Sequence, residues 1–218
     1  MGIQVTVDVE VGRLPGLVVA EIHRKLGPRL RALPSTLLPV VQKAVLEGMR
    51  ATRHHAELLN GVLQRELGLE FPDQMVGDVE DAVVKAVRVE SLAPAGEFFG
   101  GVWAGAFVDD FADALSAKSA VYVSKNTKER QTPVEWLKWL LFAGDTIVVA
   151  GRDVFGGASE YSRTGTLIMA KRHGKGWWVP PAFAGTAQSN WLTDAAHLAA
   201  PVVQREFEKA AHGLLASL

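Results

Sequence analysis

Ile3, Val5, Val7 and Val9 alternate with Gln4, Thr6 and Asp8, the period of two expected of a half-buried strand. Gly12 ends that pattern. Residues 15–26 read as a short helix with Pro15 in its first turn, broken by Gly27-Pro28. Ser35 or Thr36 then caps a second helix. Leu38, Val41, Val45, Gly48, Thr52, Ala56, Leu59 and Leu63 step by threes and fours along one of its faces. Over residues 36–66 such a helix runs about 45 Å, at 1.5 Å per residue. An apolar stripe of that length needs a partner helix, either residues 15–33 of the same chain or a neighbouring subunit.

Gly68, Pro72, Asp73, Gly77 and Asp78 mark residues 68–80 as a polar connection. The valines at 83, 84, 87 and 89 fit a helix and a strand equally well. Residues 96–108 read as a bent strand or turn, 109–118 as a short helix, and 121–123 as a strand. Thr132-Pro133 opens a helix over 134–143, which Gly144 stops. A buried strand at 146–150 and a glycine-rich loop or long hairpin tip at 151–165 follow, then a strand at 166–171. Asn190 caps a last helix whose apolar face is Leu192, Ala195, Ala199, Val202, Val203, Phe207, Ala210 and Leu214. Pro201 is expected to kink or divide it. Helices first, then a small, mostly antiparallel sheet with short helices, then a C-terminal helix make an α+β fold. It is read as one domain, 1–218, with a helical sub-region at 13–67 and a sheet-containing region at 79–218.

Composition narrows the chemistry. Of 218 residues 48% are hydrophobic and 22% charged, enough to bury a core. A net charge of −1 argues against a protein whose main work is coating duplex DNA. The absence of cysteine excludes disulfides, thiolate catalysis and iron–sulfur clusters. No signal peptide and no spanning helix are expected, since the start lacks a basic region and no apolar run approaches eighteen residues.

Local motifs for catalysis are missing too. There is no G-x-G-x-x-G, Walker A or H-E-x-x-H, and Gly157-Ala158-Ser159-Glu160-Tyr161 lacks the closing glycine of a nucleophile elbow. His54 and His55 point about 100° apart on a helix and read as solvated surface residues. Asp194 and His197, at i and i+3, are either half of a metal site or a helix-surface hydrogen bond. Asp109, Asp110 and Asp113 read as acids favoured at a helix N-terminus. Neither catalytic residue, cofactor nor metal is assigned.

Two features concern surfaces. Arg163, Lys171, Arg172 and Lys175, with His173 among them and no acid, form a local basic patch. It is either a solvated hairpin or a contact for an acidic partner or passing DNA. Trp177 and Trp178 are adjacent, so in an extended segment one faces inward and the other outward as an interface anchor, unless both pack inside. Pro180, Pro181, Phe183 and Trp191 complete the candidate interface.

Trp136-Leu137-Lys138-Trp139-Leu140-Leu141-Phe142-Ala143-Gly144 is followed by Tyr161-Ser162-Arg163-Thr164-Gly165. Then come Trp178-Val179-Pro180-Pro181-Ala182-Phe183-Ala184-Gly185-Thr186 and Asn190-Trp191-Leu192-Thr193. With these segments in this order, residues 134 to about 195, a little over a quarter of the chain, resemble tailed-bacteriophage minor tail or tail-completion proteins of the head–tail junction. The resemblance implies a non-enzymatic virion subunit that joins a ring of its own copies, expected to be hexameric, between the head connector and the tail tube or terminator. DNA would pass through the lumen, no membrane would be involved, and the host cytoplasm would be the place of assembly. The other readings are a hydrolase pairing Asp109, Asp110 or Asp113 with His173 or His197 in one pocket, and a weak nucleic-acid-binding accessory protein using the basic patch.

Overall fold

The structure, a computed structural model, describes residues 2–6, 16–93, 100–105, 111–123, 133–144, 152–155, 168–171 and 179–216. The chain is α+β. Strand β1 (Gly2–Thr6) precedes α1 (Gly16–Ala51), α2 (Arg53–Asn60), α3 (Val62–Glu66) and α4 (Pro72–Ala86). Then come β2 (Arg88–Leu92), β3 (Gly101–Gly105), α5 (Ala112–Leu115), β4 (Tyr122–Val123), β5 (Pro133–Val134) and α6 (Trp136–Phe142). The chain continues through β6 (Arg152–Phe155), β7 (Ile168–Lys171) and α7 (Trp191–Leu215).

α1 differs most from expectation. It runs unbroken for 36 residues through Pro28, Pro34 and Pro39, so Gly27-Pro28 does not end it. Each proline removes one backbone hydrogen bond. The compensation is burial: Leu26, Leu30, Leu37, Val41, Ala44, Val45 and Met49 are all at most 5% exposed, each large side chain contributing about 2 kcal/mol. Within the chain the partner for this stripe is α7, and residues 16–33, expected as a candidate partner, belong to α1 itself. The expected helix over 36–66 is instead cut at Thr52 and at Gly61. Thr52 adopts an extended backbone, φ −73° and ψ 152°, and caps α2 by accepting from the His55 N–H. Its hydroxyl donates to the Met49 carbonyl at 2.7 Å, which helps satisfy an acceptor freed at the end of α1.

α4 begins at Pro72, inside the stretch expected to be a polar connection, because proline suits the first helical turn. The ambiguous valines divide: Val83 and Val84 belong to α4, Val89 to β2. β3 is the centre of a three-stranded antiparallel sheet ordered β1-β3-β2, with Gly105 opposite both Gly2 and Arg88. β2 and β3 lie against α1, and β1 against α7. Two-stranded antiparallel pairs β4-β5 and β6-β7 complete the sheet structure of the described residues. Pro133 belongs to β5, so α6 starts at Trp136 rather than at 134. The expected strand at 146–150 lies outside the described residues, as does most of the loop at 151–165. α7 continues through Pro201 undivided. Its start is held by a capping box in which Asn190 Oδ1 accepts from Leu192 and Thr193 while Thr193 Oγ1 accepts from the Asn190 N–H.

Among the described residues no helix is long and apolar enough to cross a membrane.

Candidate functional site

Residues 179–190 form a strap between α6 and α7. A turn closes where the Phe183 N–H donates to the Pro180 carbonyl at 2.8 Å, and a second links Thr186 and Ser189. The strap is tied to the end of α6 by two backbone bonds. Gly144 N donates to Gly185 O at 2.9 Å, and Gly185 N donates to Leu140 O at 3.1 Å. Gly144, with φ +55°, supplies the left-handed turn that lets α6 stop there.

This anchoring sets Phe183 beside the start of α2. Its ring meets the His54 imidazole edge to face at 5.5 Å, while the Arg53 guanidinium lies 4.8 Å from the ring centroid. Across from them, the first turns of α7 present Asp194 and His197. His54 Nδ1 is 3.8 Å from Asp194 Oδ2. Together with Ala51, Thr52, Ala182 and Leu198, these residues line an open cleft of about 490 Å³. That is within the usual size range of a small-ligand site.

The electrostatics of the cleft are uneven. Burial holds the His54 pKa below its ordinary value, opposed by the Asp194 carboxylate and by a hydrogen bond to the Phe183 backbone and reinforced by Arg53. Arg53 and His197 are exposed, and neither makes a hydrogen bond or ion pair among the described residues. Within the described residues, no group of three His, Asp or Glu side chains is placed to hold a metal ion, so Asp194 and His197 gain no third ligand.

The histidine pair departs from its expected surface role. His54 is 9% exposed and belongs to the cleft. His55 turns the other way, its Nε2 3.1 Å from Glu80 Oε1, where Glu80 also receives Arg50 Nη2 at 2.7 Å. The 100° separation of adjacent helical positions was readable, but which elements would cover each ring was not.

The candidate interface residues fare differently. Trp191 is fully buried and Phe183 is 5% exposed. Both pack within this chain, Trp191 in the core and Phe183 in the wall of the cleft. The Trp191 indole N–H reaches the Met49 carbonyl at 3.4 Å, joining α7 to the end of α1. Pro180 is half-buried and Pro181 exposed. Trp177 and Trp178 lie outside the described residues, as do Arg163, Arg172, Lys175 and His173. Lys171 ends β7, opposite Arg152. Asp113 is exposed on α5 and does not line the cleft that holds His197, while Asp109 and Asp110 lie outside the described residues. Sequence reasoning passed over Arg53 as a site residue. Its position beside the paired histidines was the signal, but its stacking partner lies 130 residues away in the chain. No protein-family model, curated protein or solved structure matches the chain.

Proposed function

We propose that this chain is a structural subunit of a tailed-bacteriophage virion, a tail-completion, neck or minor tail component that joins tail to head connector by forming a ring. The observation that carries the reading is the ordered series of segments 136–144, 161–165, 178–186 and 190–193. Two of those segments lie some forty residues apart, yet they meet in a single unit through the Gly144–Gly185 and Gly185–Leu140 backbone bonds. A resemblance spread over segments that pack together is more informative than one spread over unrelated loops.

In this role the subunit carries out no reaction. It contacts copies of itself and the adjoining connector and tail proteins, and DNA crosses the lumen only in passing. The surface around exposed Pro181 is where a neighbouring subunit docks. Fully buried Trp191 holds the strap and α7 in place behind it.

Loss of the gene is the deciding experiment. Electron microscopy of the resulting lysate should show filled heads and tails left unjoined, or tailless particles. Normal virions from a null mutant would end the proposal. A finer test compares Trp177→Ala with Trp178→Ala: one should lower the unfolding midpoint, while the other leaves it in place and lowers the yield of joined particles.

A further inference from the structure

The cleft between α2, the strap and α7 contains more prepared chemistry than the core requires. Arg53 is the first residue of α2, and its guanidinium is laid over the Phe183 ring at the exposed edge of the cleft. That stacking restricts a side chain that otherwise loses about 2 kcal/mol of rotamer entropy when ordered. It leaves the planar fork of donors without a hydrogen-bond or ion-pair partner among the described residues. His197, equally unpartnered, stands in the same cleft. Beside these polar groups lies an exposed apolar rim of Ala51, Ala182 and Leu198, the last 50% exposed.

We propose that this cleft binds a carboxylate with an apolar body, Arg53 and His197 receiving the acid group and Leu198, Ala182 and Ala51 receiving the body. A guanidinium fork matches a carboxylate in two parallel hydrogen bonds. The starts of α2 and α7 both face the cleft, and the positive ends of their dipoles favour an anion there. Asp194 selects among anions. Its carboxylate, half-exposed and 3.8 Å from His54, repels a doubly charged phosphate more than a singly charged acid. A carboxylate therefore suits the charge of the site better than a phosphate monoester. The acid is either a free small molecule or the end of a polypeptide, and the inference stands apart from the virion reading.

The test is heteronuclear NMR of the full chain titrated with N-acetylphenylalanine, its uncharged amide and inorganic phosphate. The acid should shift the His54 and His197 imidazole resonances saturably. The amide and phosphate should bind at least about tenfold more weakly, equivalent to about 1.4 kcal/mol. Arg53→Gln should weaken the acid by about tenfold, while Asp194→Asn should tighten phosphate relative to the acid. A peptide ending in a free phenylalanine carboxylate separates the two sources: tighter binding than the small acid assigns a polypeptide end, equal binding a free acid. Undiminished binding by Arg53→Gln, equal binding of acid and amide, or no saturable shift at millimolar acid in the folded protein overturns the proposal.

Discussion

Gly185 lies so close to the Leu140 carbonyl that a Cβ there would come 2.5 Å from its oxygen and 2.6 Å from Asn190 Cβ. The contact is also a hydrogen bond, Gly185 N donating to that same oxygen at 3.1 Å. One residue therefore joins the end of α6, the strap and the cap of α7. Gly185→Ala should cost about 2–3 kcal/mol, because backbone rather than a movable side chain must give way. Urea unfolding monitored by circular dichroism measures it. A loss under about 0.5 kcal/mol would show that the strap can shift without consequence.

A second glycine gives the opposite of its usual substitution effect. Gly48 lies inside α1, where alanine normally stabilises a helix by about 1 kcal/mol. Here the added Cβ would lie 2.5 Å from the Ala195 carbonyl of α7. Gly48→Ala should therefore destabilise, by about 1–3 kcal/mol. Gly77, inside α4, has nothing within 4 Å of the same Cβ position, and Gly77→Ala should stabilise by about 0.5–1 kcal/mol. Thermal melts of the two variants should move in opposite directions. Movement in the same direction would refute the close approach of α1 and α7.

The periodic face of α7 and its Asn190 cap were legible because both are local: a 3.6-residue stripe and a side chain bonding two and three residues on. The course of α1 was not. Gly27-Pro28 is a strong local stop, and only long-range burial of Leu26, Leu30 and Leu37 overrides it. Conversely, Thr52 continued the apolar stripe in register, so nothing in the pattern showed that its hydroxyl would end one helix and start the next. The cleft was still less accessible to sequence, since residues 51–54 meet 182–183 and 194–198 only after the whole chain has folded. Separate local readings of paired histidines, an i, i+3 acid and base, and a phenylalanine in a proline-rich stretch do not sum to a site.

Glu80 should be among the most sensitive charged positions. Its side chain is 5% exposed and accepts from Arg50 through Nε and Nη2, with His55 on its other side. Glu80→Ala strands His55 and releases Arg50, which is 56% exposed and can rehydrate. The expected cost is about 2–3 kcal/mol, below that of a fully buried pair. Glu80→Gln should cost less, since the amide keeps one acceptor but turns its own N–H donors toward one partner. Denaturant midpoints of the two variants check the order, and equal stability of Glu80→Ala and wild type would remove the network from the account.

His54 makes stability depend on pH with a defined sign. Burial lowers its pKa below 6.5, so the folded chain takes up the proton less readily than the unfolded chain. Between the two pKa values the unfolded state binds more protons, and stability rises with pH. The contribution is complete above 6.5, declines as pH falls through that value toward the folded pKa, and stays constant below it. The groups facing the ring are Arg53 from α2, Asp194 from α7 and the Phe183 backbone of the strap. Arg53 reinforces the shift, and the other two oppose it without reversing it. His54→Gln removes the titration while keeping a side chain able to donate to Phe183. Going from about pH 8 to about pH 5.5, wild type should therefore lose more stability than His54→Gln, other groups contributing equally to both. Parallel pH profiles would mean that the imidazole is as well solvated in the folded chain as in the unfolded one, and that the cleft wall it forms is open to water.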